Sequence, residues 1–197
     1  MAMKKILVLA ILAFSGTSLL AQSNFSITYA IGFPSGDLND FISKTSFRGI
    51  ALDYRYGFAP NMALGFSAGF NTFYDELPTD TYTIDNFSLT GRQYRYSNNI
   101  PMLATGTYYF PAHDFIKPYA TLGIGTMYSR RNTDMNLYTF EQEAWNFLLQ
   151  PELGVKFETA EHLEIVLSGK YLHGFAAGSE LEEAQSYFCF NVGICFF

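Results

Sequence analysis

Cysteine is scarce in this 197-residue chain, basic residues are outnumbered by acids, and long apolar runs are missing beyond the first two dozen residues. The only cysteines are Cys189 and Cys195, six positions apart on what the pattern around them makes a single strand. At about 3.3 Å per residue their Cα atoms would stand ~20 Å apart, well outside the roughly 7 Å reach of a disulfide. Both thiols are therefore expected to be free, and stability has to come from something other than cross-links. No stretch after residue 21 holds enough consecutive apolar residues to cross a bilayer as a helix. Twelve Lys and Arg against 18 Asp and Glu exclude nucleic acid as a partner, because that binding is dominated by cationic contacts to phosphate. Gly-rich phosphate loops, zinc-ligand spacings and catalytic motifs are also absent, so no cofactor, metal or catalytic residue is expected.

What is present begins with an export signal. Lys4 and Lys5 give a positive start, residues 6–14 a short apolar run, and Gly16, Thr17, Ser18 and Ala21 the small residues of a cleavage region. Cleavage after Ala21, with a cut after Ser18 as the alternative, makes residues 1–21 a signal peptide and residues 22–197 the exported domain. Losing Lys4 and Lys5 takes the formal charge from −6 to −8 and leaves 176 residues.

The most informative stretch is residues 47–74, two arms joined at Ala59-Pro60-Asn61. In the first arm Ile50, Leu52, Tyr54, Tyr56 and Phe58 alternate with Gly49, Ala51, Asp53, Arg55 and Gly57. In the second, Met62, Leu64, Phe66, Ala68 and Phe70 alternate with Ala63, Gly65, Ser67, Gly69 and Asn71. A period of two sustained this long places one bulky apolar face opposite one small, polar face, as in a strand. The small face is poor in the charges that water-washed surfaces carry, whereas a closed barrel in lipid explains both faces at once. The 34 Phe and Tyr suit interfacial girdles. An exported apolar chain without membrane-spanning helices can enter a bilayer only as such a barrel. The same alternation marks strands at residues 24–33, 93–110 (with Pro101 as a bulge or gap), 117–129, 145–157, 163–173 and 186–197. Polar connections at 34–46, 75–92, 130–143 and 174–185 are long, and those at 59–61, 111–116 and 158–161 are short. Short turns on one side and long loops on the other are the rhythm of an outer-membrane barrel, with short turns in the periplasm. The fold expected is an all-β, eight-stranded, antiparallel, up-and-down transmembrane barrel.

The segment GFPSGDLNDF after the first strand, NIPMLATGTYYF, KPYATLGIG and the aromatic C-terminus resemble small outer-membrane barrels of the OmpA/OmpX type, particularly those of Bacteroidetes. The resemblance covers the mature chain. It implies an outer-membrane location in a Gram-negative envelope, contact with lipid and lipopolysaccharide, insertion by the barrel-assembly machinery, and a monomer. The C-terminal assembly signal it implies is carried here by Phe188, Phe190, Val192, Ile194 and Phe196, with Phe197 one residue past the alternation.

Inward parity falls on Asp53, Arg55, Glu152, Lys156, Glu164 and Lys170, three acids and three bases. Unpaired burial of a charge costs several kcal/mol, so these groups are expected to neutralise one another. A three-residue turn would set Lys156 opposite Glu164 and Lys170 diagonal to Glu152. An eight-stranded interior is just wide enough for such side chains. The leading expectation is a non-enzymatic envelope or surface protein, with a narrow pore or carrier for small solutes and a rim-located lipid-modifying enzyme as alternatives. His113, His162 and His173 are the only histidines, and no Ser–His–acid spacing surrounds them. The acid-rich loops offer a contact surface for an extracellular ligand or for divalent cations bridging to lipopolysaccharide phosphates, with Arg92, Arg130 and Arg131 as direct phosphate ligands.

Overall fold

A computed structural model describes residues 23–84, 87–112, 115–135, 137–176, 181 and 183–197. The signal segment assigned to residues 1–21 and the turn residue His113 lie outside them. Eight strands close into a barrel: β1 (Ser23–Ser35), β2 (Gly49–Ala59), β3 (Met62–Ile84), β4 (Phe87–Tyr109), β5 (Ile116–Met135), β6 (Tyr138–Ala160), β7 (Leu163–Gly174) and β8 (Gln185–Phe196). Each pairs antiparallel with its neighbours in sequence, and β1 closes the ring on β8 from Phe25↔Phe196 to Ser35↔Ser186.

The alternation produces an inside-out molecule. Phe25, Ile27, Tyr29, Ile50, Leu52, Phe188 and Phe190 project outward and are exposed, while Ser26, Thr28, Asp53, Arg55 and Asn191 on the same strands are buried. Acyl chains solvate the first set, and the barrel lumen holds the second. A strand tilted at ~40° and rising ~3.3 Å per residue crosses a ~25 Å apolar band in about ten residues. β1, β2, β7 and β8, with 13, 11, 12 and 12 residues, are cut to that length.

β3, β4, β5 and β6 are much longer, at 23, 23, 20 and 23 residues. The connections expected as polar loops at 75–92 and 130–143 are in fact continuations of the ladder. Asp75 pairs with Arg95, Glu76 with Tyr94 and Thr81 with Thr90. Arg130 pairs with Glu143 and Asp134 with Thr139. Above the bilayer a strand no longer needs a bulky apolar face, so the two-residue rhythm fades while the hydrogen bonds persist. Polar cross-strand contacts take over, such as the Thr81–Thr90 hydroxyl pair at 2.7 Å and the Arg92–Glu76 ion pair at 2.7 Å.

The β6–β7 turn is also tighter than expected. Glu161 and His162 form the connection, with His162 in the left-handed region (φ 67°) and a register shift between Glu158 and Ala160. Pro101 stays in register with Met127 of β5, but its ladder to β3 lapses between Ala68↔Met102 and Asn71↔Asn99 without a change of register. It is a gap and not a bulge, as the missing N–H requires.

One element was absent from the strand reading. Gly36 takes φ 57°, a conformation that favours glycine, and turns the chain into a short helix, α1 (Asp37–Phe41). Its apolar residues drop into the outer mouth of the barrel, where Leu38 and the following Ile42 are fully buried. They join Ala30, Phe73, Leu103, Met127, Leu148, Leu172, Tyr187 and Cys189 in one apolar cluster. The lumen therefore has two storeys, apolar toward the outside and ionic toward the periplasm.

Candidate functional site

The ionic storey is assembled from residues that sit far apart in sequence but share inward parity. Asp53 and Arg55 come from β2, Glu152 and Lys156 from β6, and Glu164 and Lys170 from β7. All six are at most 4 % exposed. Across the ring, Arg55 Nη2 donates to Glu152 at 3.2 Å. Lys170 Nζ donates to both oxygens of Asp53 at 3.0 Å and lies 3.8 Å from Glu152.

The partnership expected within β6–β7 is altered by the tight turn. Glu152 stands directly opposite Lys170, and Lys156 faces Val166 and reaches Glu164 diagonally at 3.2 Å. The register is two residues away from the one that a three-residue turn would set, so the opposed and diagonal pairs trade places. The turn also sets Glu158 against Glu164, two like charges side by side. Lys117, which the sequence did not single out, bridges them at 3.2 and 2.8 Å.

Tyr119 completes the network and was likewise not foreseen. Its hydroxyl donates to Glu152 Oε1 at 2.8 Å, and its ring lies 4.8 Å beneath the Arg55 guanidinium. Gly154 makes this possible, since a Cβ there would come within 2.4 Å of Tyr119 Cζ. Cys195 accepts from Lys156 Nζ at 3.1 Å, and both cysteines are buried, inward-facing and free.

The apolar storey is locked from above. Phe41 lies between two guanidinium groups, 5.1 Å from Arg95 and 4.6 Å from Arg131. Arg95 Nη1 also donates to the Phe41 carbonyl at 2.9 Å. Arg131 points inward and bonds Gln185 and Glu183, so it does not face the surface where lipopolysaccharide phosphates lie. Lys44 pairs with Asp75 at 2.8 Å, and that bond raises the ammonium pKa above its ordinary value. Asp37 Oδ2 accepts from the Ala184 N–H at 3.0 Å, tying α1 to the last loop. The spacing of Leu38, Phe41 and Ile42 is the signal that could have revealed the helix, because i, i+3 and i+4 share a helical face.

At the opposite end a vestibule of about 710 Å³ opens to the periplasm, lined by Asn61, Tyr109, Lys117, Lys156, Glu164 and Phe197 among others. Phe188, Phe190, Val192, Ile194 and Phe196 all face lipid, with Phe196 paired to Phe25 and Leu163 as the last residue of β8. Phe197 leaves the wall: its N–H donates to the His162 carbonyl, and its ring packs on His162 and Lys117.

His173 projects outward near the upper rim, 2.8 Å from the Ser186 hydroxyl and packed on Tyr171 and Phe175. The outward faces of β1, β7 and β8 carry no carboxylate, so nothing on these strands orients the imidazole as a triad requires. Among the described residues, no cluster of three His, Cys, Asp or Glu is placed to hold a metal ion. What the lumen residues can do chemically is neutralise one another and fill space.

The model of an outer membrane protein beta-barrel domain matches residues 6–193. Among solved structures, Neisserial surface protein A is similar at 13% identity and TM-score 0.56, covering 90% of this chain and 98% of that one. A major outer membrane protein from Thermus thermophilus aligns at 14% identity and TM-score 0.49, covering 89% of this chain and 99% of that one. The N-terminal barrel domain of Pseudomonas aeruginosa OprF aligns at 14% identity and TM-score 0.46, covering 90% and 100%. A search of curated proteins finds no match. With a closed eight-stranded ring, lipid-facing aromatics and a family model spanning nearly its whole length, the chain belongs to the outer membrane protein beta-barrel family and resides in the outer membrane.

Proposed function

We propose that this protein is a closed, non-enzymatic barrel that supports the outer membrane and presents its raised β3–β6 hairpins to partners outside the cell. The observation carrying this reading is the double seal. Arg55–Glu152 and Lys170–Asp53 cross the lumen at one level, and α1 with its apolar cluster fills the level above. A solute would have to break buried ion pairs and then displace a packed plug. The test is planar-bilayer recording of the purified mature protein: silence is expected, and reproducible stepwise conductance overturns it.

The periplasmic vestibule favours a second reading, a carrier or narrow pore, and the same recording decides between them. A lipid-modifying role for His173 and Ser186 predicts turnover of labelled lipid A or phospholipid, and none is expected. In this reading the assembly machinery engages the lipid-facing series Phe188, Phe190, Val192, Ile194 and Phe196. Phe196 is its terminal aromatic because it alone of the last two residues is in the strand register.

A further inference from the structure

Charge balance inside the barrel is least complete where the lumen opens to the periplasm. The vestibule there, about 710 Å³, falls within the ~300–1,000 Å³ of small-molecule sites. The charged residues that line it are Lys117, Lys156 and Glu164, two bases to one acid. The Glu164 carboxylate is shared between them, Oε1 with Lys117 at 2.8 Å and Oε2 with Lys156 at 3.2 Å. Glu158 also meets Lys117 at 3.2 Å, but from the rim, where its side chain is 44 % exposed. An ion pair this open to water holds weakly, so a ligand carboxylate can take its place.

Other groups around the cavity have donors to spare. Lys156 is fully buried, and Cys195 and Glu164 occupy two of its three ammonium protons. The Tyr109 hydroxyl is enclosed and has no partner. Its ring lies 5.6 Å from Lys156 Nζ and 6.0 Å from the Tyr119 ring, over which the Arg55 guanidinium stands. Nε and Nη1 of Arg55 are likewise buried without an acceptor. Positive charge and unused N–H and O–H groups thus run from the vestibule into the ionic storey.

The walls are apolar and rich in rings: Ala63, Pro111, Tyr109, Phe110 and Phe197. Such walls suit a flat aromatic body and give the hydroxyls of a sugar few partners. One excess base matches one negative charge, whereas a phosphate dianion would overshoot it. We propose that the periplasmic vestibule binds a small aromatic monocarboxylate, with its carboxylate on Lys117, Lys156 and Tyr109 and its ring against Phe110 and Phe197. Binding does not require a sealed lumen, so it and the conductance recording fail independently.

The probes are naphthylacetate and its neutral isostere naphthylacetamide, titrated calorimetrically into the mature protein in lipid nanodiscs, with empty nanodiscs as the blank. Naphthylacetate is expected to bind roughly tenfold tighter than the amide, the difference that hydrogen bonds to a charged group supply. Lys117→Gln is expected to weaken naphthylacetate several-fold and leave the amide unchanged. Ala63→Met, which fills the cavity without touching a charge, is expected to weaken both. Folding of each variant is checked by heat-dependent gel mobility, and the comparison of acid with amide needs no variant. Equal affinity for acid and amide overturns the proposal, as does heat no greater than that of empty nanodiscs. Acetate or inorganic phosphate binding as tightly as naphthylacetate overturns it too, and so do two folded variants that bind normally.

Discussion

Glu152 is the hub of the ionic storey, and its isosteric replacement by Gln is the sharpest perturbation the structure offers. The change keeps an acceptor for the Tyr119 hydroxyl but removes the charge that Arg55 meets at 3.2 Å and Lys170 at 3.8 Å. Asp53 is then the only acid left for both cations in the middle of the lumen. Removing one partner of a buried pair costs ~3–5 kcal/mol, and because Asp53 persists we expect the lower end, about 3 kcal/mol. Arg55→Met is expected to cost a similar amount by stranding Glu152. The double variant leaves no stranded charge, and replacing a whole buried pair is close to neutral. It should therefore be more stable than the sum of the singles by at least ~2 kcal/mol, a coupling within the range that contacting residues show. The assay is reversible urea unfolding in lipid vesicles, followed through Trp145 emission. Single variants that each lose less than ~1 kcal/mol, or a double variant whose loss is simply additive, would refute the idea that these charges are held by one another.

Other substitutions test other parts of the molecule. Gly154→Ala pushes a methyl group into Tyr119 and lifts its hydroxyl off Glu152; we expect a loss of ~1–3 kcal/mol in the same unfolding assay. Phe41→Ala removes two cation–ring contacts worth ~0.5–1 kcal/mol each. Limited proteolysis should then cleave residues 36–48 faster while the barrel stays resistant. Deleting Phe197 is expected to leave insertion yield in vivo nearly unchanged, whereas Phe196→Ser lowers it, as measured by the folded fraction in outer-membrane extracts. Equal effects would place Phe197 within the engaged series.

The sequence revealed most where lipid imposes the pattern. Residues 47–74 disclosed their two faces because each side chain there has only hydrocarbon or lumen to meet, and the inward charges followed from parity alone. The reading failed where lipid stops. The stretch from Asp75 to Arg92 looked like a loop because a strand in water accepts Thr, Asp and Glu on either face, yet its backbone pairing continues. The pairs Lys156–Glu164 and Lys170–Glu152 form as parity expects. Their opposed and diagonal arrangements are exchanged by two positions of register, since the turn falls at Glu161 and His162, with His162 left-handed. Tyr119 and Lys117 share the inward parity of Thr121 and Gly123, but a tyrosine is as common on the lipid face and Lys117 opens its strand at the rim. Parity alone therefore did not mark them as partners of Glu152 and Glu164. The α1 plug was legible in principle from Leu38, Phe41 and Ile42, but five residues give helical periodicity little room to declare itself.

The unequal strand lengths have one more consequence. Above residue 71, β3 runs out of paired length on its β2 side, as β6 does before Leu148 on its β7 side, so the raised sheet ends in two open flanks. Such flanks invite edge-to-edge zipping between neighbouring molecules in a crowded membrane. Here one flank is interrupted by Pro78 inside a register shift and carries Asp75, Glu76 and Asp80, and the other carries Glu141 and Glu143. Two copies approaching flank to flank would meet a kinked backbone on one side and charged side chains on both, features that oppose such zipping.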